Sequence, residues 1–276
     1  MHILVATGGA THSDTAVSLG AYIAKQTQSS LTLLTVTRHE EDEIQADAIL
    51  TRAANLAAQH GVTASKRVRI GQVAAEVVEE AGQGKYDLIV VGERHEHSWM
   101  TRLLGPTADR IIADMPCPVL IARQSEPKIK RLLLCEGGRE PSLLERIVAR
   151  LAPILTASEQ LTVLHVMSQM AAAPGIPGWE LRADADELIA QHTHEGELLE
   201  RDAQTVELLP VHLQTKIRHG LVVDEILDET SDGAYDLVII GAHQGSTWER
   251  FLLDDLAHQI VAKSNTSILV ISSESN

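Results

Sequence analysis

Aromatic side chains make up only 3% of the 276 residues, and Phe251 is the one phenylalanine. The cores must therefore be built from Leu, Ile, Val and Ala. Cysteine is nearly as scarce. Cys117 and Cys135 read as two buried thiols in a reducing compartment, not as a disulfide framework. Positive charge is short as well: 23 Lys and Arg stand against 38 Asp and Glu, a formal net charge of −15. That balance argues against phosphate-backbone binding and so against a nucleic-acid partner. It favours solubility. No run approaches the ~18 apolar residues of a membrane span. The opening MHILVATGG has no basic segment followed by a long apolar stretch, so no signal peptide is expected. Together these absences predict a cytoplasmic protein with no membrane partner.

What the chain does contain is one segment twice. Residues 86–124 read YDLIVVGERHEHSWMTRLLGPTADRIIADMPCPVLIARQ, and residues 235–273 read YDLVIIGAHQGSTWERFLLDDLAHQIVAKSNTSILVISS. They align without a gap at an offset of 149, with Tyr86/Tyr235, Asp87/Asp236, Gly92/Gly241, Trp99/Trp248, Leu103/Leu252 and Ala108/Ala257 coinciding. A repeat this long marks two copies of one domain, not a short-period solenoid. The polar, Pro-containing stretch Arg123–Ile129 is the natural boundary, which predicts domains at 1–125 and 129–276.

Short apolar runs alternate with amphipathic stretches. In copy one the strands are read at His2–Ala6, Leu31–Val36, Ser65–Ile70, Leu88–Val91 and Val119–Ala122, with helices near 14–27, 41–60, 73–82 and 107–114. In copy two the strands are read at Leu132–Cys135, Leu161–Val166, Leu213–Arg218, Leu237–Ile240 and Ile268–Ile271. Runs such as LIVV and LVII are apolar throughout, as parallel strands covered on both faces are. The expected architecture is α/β. Each copy is a Rossmann-like open sheet of five parallel strands, order 3-2-1-4-5, with helices on both faces. Ser142 with Glu145 predicts a capping box, and Ser13 is the matching cap candidate. The stretch 167–184, containing AAAPGIPGW, is read as a surface excursion; the sharper alternative is a lid bearing Trp179.

Ligands of such a sheet bind beyond the C-terminal strand ends, where the strand order reverses. In copy one this brings together Thr7–Ser13 (TGGATHS) and Gly92–Thr107 (GERHEHSWMTRLLGPT). The second loop leads into a helix at Thr107, whose free amides suit an anion. Gly8, Gly9, Val36, Val91, Gly92, His95, Gly105, Pro106 and Thr107 are the candidate binding residues.

The strand-1 ending ILVATGG, the strand-4 ending YDLIVVG, Gly105 and the closing CPVLIA resemble the universal stress protein family, and two copies in one chain resemble its tandem members. The resemblance implies a Rossmann-like domain of the adenine nucleotide alpha hydrolase-like type, binding of ATP or AMP in many members, and a stress role without a defined reaction. It also implies that the last strands, PVLIA and SILVI, pair as an internal pseudo-dimer. ATP-binding members carry an aspartate after strand 1, and Gly, two residues, Gly, nine residues, then Gly with Ser or Thr. Copy one keeps Gly92 and Gly105, but has His95 at the second glycine, Pro106 at the Ser/Thr position with Thr107 next, and Gly8 at the aspartate. Copy two keeps Gly241, but has Gln244, Asp254 and Asp255, with Gly137 at the aspartate. Pro106 offers no amide hydrogen, although His95, Arg94 or Arg102 offers positive charge instead. Asp254 and Asp255 place two negative charges at the anion site.

The sequence therefore predicts a non-enzymatic stress protein with degenerate nucleotide sites, copy two more so than copy one, acting through protein partners it does not identify or through a ligand other than ATP. The alternative is a sensor holding ATP or AMP in copy one, with at most slow hydrolysis. Association of two chains stays open. A third class would use Glu93, His95 and His97, or His219, His243 and His258, as metal ligands; the expectation is a polar loop binding no metal. Trp99 and Trp248 are expected to pack on their own domains. Cys117 is expected to be a small buried residue, and Asp254–Asp255 a charged loop end. No nucleophile elbow, Walker A lysine or catalytic carboxylate pair stands out.

Overall fold

A computed structural model of the chain describes residues 1–93, 105–138, 140–168, 183–242 and 250–272. It divides into two compact units: Met1–Lys128 with Asn265–Asn276, and Ile129–Ser264.

Unit 1 begins β1(His2–Ala6), α1(Thr11–Gln26), β2(Ser30–Thr37), α2(Glu43–Gln59), β3(Ala64–Ile70), α3(Val73–Gln83), β4(Leu88–Gly92), α4(Pro106–Ala113), β5(Val119–Ala122). Its parallel strands run β3-β2-β1-β4-β5, the expected 3-2-1-4-5. Consecutive residues Ile3, Leu4 and Val5 are fully buried, so both faces of the sheet are covered. Helix α1 packs with α2, and α3 with α4. The sheet does not stop at five parallel strands. A sixth, β10(Ser267–Ser272), comes from the end of the second repeat and lies antiparallel to β5, with Leu269 opposite Leu120 and Val270 opposite Val119. Residues 119–122 are all buried, and such an apolar edge demands a covering strand. The last strands of the two repeats thus pair, as the resemblance implied.

Unit 2 contains β6(Arg131–Glu136), α5(Leu143–Thr156), β7(Gln160–Met167), α6(Ala185–Ala190), α7(His194–Val206), β8(His212–His219), α8(Val222–Asp232), β9(Leu237–Ala242) and α9(Arg250–Lys263). Its strands run β8-β7-β6-β9, again 3-2-1-4. Most of the 167–184 excursion, including Trp179, lies outside the described residues.

The predicted capping box is present. Ser142 Oγ accepts from the Glu145 amide at 3.1 Å, and Glu145 Oε2 accepts from the Ser142 amide at 2.8 Å. Ser142→Ala is expected to cost about 1 kcal/mol of unfolding free energy in denaturant titration. Ser13 is not the matching cap. Helix α1 starts earlier, behind Ala10, and Ser13 Oγ instead accepts from the Gly8 amide at 3.2 Å. The reason is local: Pro141 disfavours helix at Glu140, whereas copy one has Thr11 and His12 there.

Asp254–Asp255 also differ from expectation. They lie inside α9, not at a loop end. Gly105 and Pro106 set the start of α4. Copy two lacks both, so its helix extends back to Arg250. Among the described residues no helix is long and apolar enough to cross a membrane.

Candidate functional site

At the C-terminal ends of β1 and β4 a cavity of about 370 Å³ opens in unit 1. Leu34, Val36, Val73, Val77, Val91 and Ile111 give it apolar walls. Thr7, Gly8, Ser13 and Thr107 bring polar groups to its margin, and Gly92, Gly105 and Pro106 complete it. Seven sequence candidates therefore meet here. Gly9 is adjacent in the same turn, its φ of +77° being a glycine conformation, and a Cβ there would press on Ile49 at 2.9 Å. His95, with Arg94, His97, Trp99 and Arg102, lies outside the described residues.

The glycines have different reasons. A Cβ on Gly92 would stand 1.9 Å from the His12 carbonyl oxygen, so packing of β4 against the first turn of α1 requires glycine. Among the described residues a Cβ on Gly241 would meet only Arg146 Nη2 and Leu143 Cδ1, both at 3.8 Å. At Gly105, φ is −62° and a Cβ would meet nothing within 4 Å. Its missing side chain leaves room in the cavity instead of solving a problem of the fold. At the head of α4, Pro106 has no amide hydrogen, and the Ala108 and Asp109 amides turn back to the Gly105 carbonyl at 2.9 and 3.2 Å. The Thr107 amide, in the first turn, has no acceptor within the helix by construction.

Glu93 also lines the cavity, and it is not a free metal ligand. Arg123 donates to both its carboxylate oxygens, from Nε at 2.6 Å and from Nη2 at 3.0 Å. The two side chains are 9% and 2% exposed. The pair delivers no net negative charge to the cavity wall. Arg123 also reaches the head of β10, donating from Nη1 to the Thr266 carbonyl at 3.4 Å and from its amide to Ser267 Oγ at 3.1 Å.

The corresponding strand ends of unit 2 are built differently. The strand registers place Glu136 where copy one has Thr7. Its Oε1 accepts from the Gly137 and Gly138 amides at 2.9 and 3.2 Å, and its Oε2 from the Leu143 amide at 2.8 Å. The carboxylate thus sits on a glycine turn and on the head of α5, both favourable to anions. His165 Nδ1 donates to the Glu136 carbonyl at 3.1 Å. Asp202 of α7 is 1% exposed, and neither carboxyl oxygen has a hydrogen-bond partner. Burial first, then the Glu136 charge, pushes it up to about 7, against the Ser142 hydroxyl and Arg201. In the unfolded chain Asp202 titrates near 4, so the folded state holds the extra proton between about pH 4 and 7 and loses stability as pH rises through that window. Asp202→Asn is expected to gain on the order of 2 kcal/mol at pH 8 and little at pH 4, measured by denaturant unfolding at both.

Neither Glu136 nor Asp202 was picked out from the sequence. A carboxylate beside two glycines at a strand end was the available signal for the first, and nothing marked the second. Of the other candidates, His219 Nε2 donates to the Ala183 carbonyl at 2.9 Å, and His243 and Trp248 lie outside the described residues. Cys117 is buried, Cys135 half-buried, and neither is bonded to the other. Burial, then Glu136 and Glu229, push the Cys135 thiol up, away from thiolate reactivity.

The universal stress protein family matches the chain twice, at residues 1–123 and 130–272. The universal stress protein YxiE of Bacillus subtilis strain 168 is 30% identical over 144 residues, covering 44% of this chain and 97% of that protein. Two solved structures share the fold along nearly the whole chain. A universal stress protein from Archaeoglobus fulgidus superposes with a TM-score of 0.73 at 16% identity, covering 99% of this chain and 98% of its own. A protein of unknown function from Pseudomonas aeruginosa PAO1 gives 0.71 at 16% identity, covering 98% and 92%. Two doubly wound repeats, each matched by the family model, place this chain in the universal stress protein family as a tandem member.

Proposed function

We propose that the protein is a cytoplasmic stress-response protein that holds one adenine nucleotide, AMP or ATP, in the crevice of copy one and catalyses no defined reaction. The domains would be 1–125 and 129–276, joined as a pseudo-dimer through their last strands. The observation that carries this reading is the cavity at β1 and β4. It has the size of a small-molecule site, apolar walls that suit a base, and a few polar groups at its margin. The neutralised Glu93 leaves it open to an anion. Gly8 in place of an aspartate, and Pro106 without an amide, remove two ligand contacts and favour weak binding. They also support the rival reading, in which both crevices are empty and protein contacts carry the function.

Calorimetric titration with AMP and ATP decides between them. Binding is expected in the wild type, and Gly105→Val is expected to weaken it by about tenfold or more, roughly 1.4 kcal/mol, with thermal stability lowered only by the about 1 kcal/mol that losing a glycine N-cap costs. No heat with either nucleotide would hand the protein to the rival reading.

A further inference from the structure

Helix α7 of copy two repeats the inward stripe of helix α2 of copy one. Leu50, Ala53 and Ala57 recur at the offset of 149 as Leu199, Asp202 and Val206. All six are buried, so each triplet lies on the core face of its helix. Copy two thus places an acid where copy one has an alanine. Asp202 is 1% exposed, and among the described residues neither carboxyl oxygen has a hydrogen-bond partner. Burying a carboxylate without a donor is costly, and burying the neutral acid much less so.

The surroundings widen that difference. Glu136 at the end of β6 and Glu145 of α5 add negative charge, whereas the Ser142 hydroxyl and Arg201 on α7 itself oppose it. Arg201 is shared with Glu140. Other charged groups on the neighbouring elements turn elsewhere. Arg146 of α5 donates to the Ser142 carbonyl, His165 of β7 to the Glu136 carbonyl, and His219 of β8 to the Ala183 carbonyl. Lys216 and Arg218 of β8 bind Glu229. Arg150 of α5, Asp186 and Glu187 of α6, and His212 of β8 are exposed.

We propose that Asp202 makes α7 a helix released by rising pH: the protonated acid lets it seat against the end of β6 and the head of α5, and the ionised form favours the opened helix. Burial holds the acid up to about 7 in the seated helix, and an opened helix exposes it to titrate near 4. Between those values only the seated helix keeps the proton. Opening therefore becomes easier as pH rises from about 4 to 7, and levels off above. Helix α6 follows α7, because Gly196 brings the two so close that a Cβ there would stand 2.2 Å from the Leu188 carbonyl oxygen. Helix α2, with Ala53, has no such response, so the pH is registered in copy two alone. The device needs no nucleotide in either copy.

The test is native-state hydrogen exchange of the full chain between about pH 5 and 9, expressed as protection factors so that the intrinsic pH dependence of exchange drops out. Protection of residues 198–206 in α7 is expected to fall by about tenfold per pH unit up to about pH 7 and then to level off. Protection of residues 50–57 in α2 is expected to hold. Asp202→Asn, and Asp202→Ala, which copies Ala53, are each expected to remove the fall; either serves if the other does not fold. Constant protection of α7 in the wild type overturns the proposal. So does a fall that persists in the variants, or one that α2 shares equally.

Discussion

Leu269→Asp is expected to lower the unfolding free energy by about 5 kcal/mol or more. Leu269 is fully buried at the middle of β10, directly opposite the fully buried Leu120 of β5. The substitution removes the burial of a leucine, on the order of 2–3 kcal/mol. It also forces a carboxylate into a site with no donor designed for it, which adds the larger share. Among the described residues strand β10 is the only strand of unit 1 supplied by the second repeat, so the damage should localise. Amide exchange at Val119–Ile121 and Ile268–Val270 is expected to accelerate well before that of β6 and β7. Leu120→Asp should give the same result. Unchanged thermal stability, with protection across β5 and β10 intact, would show that this pairing does not hold the second repeat's last strand in unit 1.

Arg123→Ala is the second large effect, at about 3–5 kcal/mol of destabilisation. It leaves the buried Glu93 carboxylate without either of its guanidinium bonds and frees the Thr266–Ser267 segment that leads into β10. Removing one partner of a buried pair costs more than removing both, because the survivor keeps its desolvation penalty. The double variant Glu93→Leu with Arg123→Met is therefore expected to recover most of the loss in urea titration. A single and a double variant equally destabilised would mean that packing around Arg123, not the ion pair, dominates the site. Because Glu93 lines the cavity of copy one, the single variant should also weaken any nucleotide bound there.

The frame of the fold was legible because it rests on patterns that local sequence carries. Continuous runs such as LIVV and VLIA announce strands covered on both faces, and all ten expected strands appear with ends shifted by no more than two residues. Alternating strands and helices, with helices on both faces, imply the order 3-2-1-4-5 that unit 1 shows, and the first four strands of copy two follow it. Ser142 was readable because a capping box is written in four residues. Ser13 was not, since the start of α1 depends on Pro141 being absent from copy one. Asp254 and Asp255 were placed in a loop by analogy with Gly105 and Pro106, although their absence from copy two is what lets α9 extend. The repeat in fact continues further back than the aligned segment. Arg69 and Arg218 each bind a pair of glutamates, Glu76 with Glu80 and Glu225 with Glu229, at the same offset.

The site was legible in position but not in chemistry. Thr7, Gly8, Gly92 and Gly105 come together because topology brings the ends of β1 and β4 side by side. Gly92, a candidate binding residue in the sequence, is required by the close approach of the His12 carbonyl. Glu93, read as a metal candidate, spends both oxygens on an arginine thirty residues away in sequence. The cage around Glu136 and the burial of Asp202 depend on how α5 and α7 meet the end of β6, and no spacing in the sequence encodes that contact.

Native mass spectrometry of the chain saturated with AMP, and separately with ATP, tests the asymmetry of the two crevices most directly. One adenine nucleotide per chain is the result expected of an open crevice in copy one and of a copy two that keeps Gly241 alone of the motif residues. Two nucleotides per chain would contradict the loss of the site in copy two, and none would contradict the occupancy proposed for copy one.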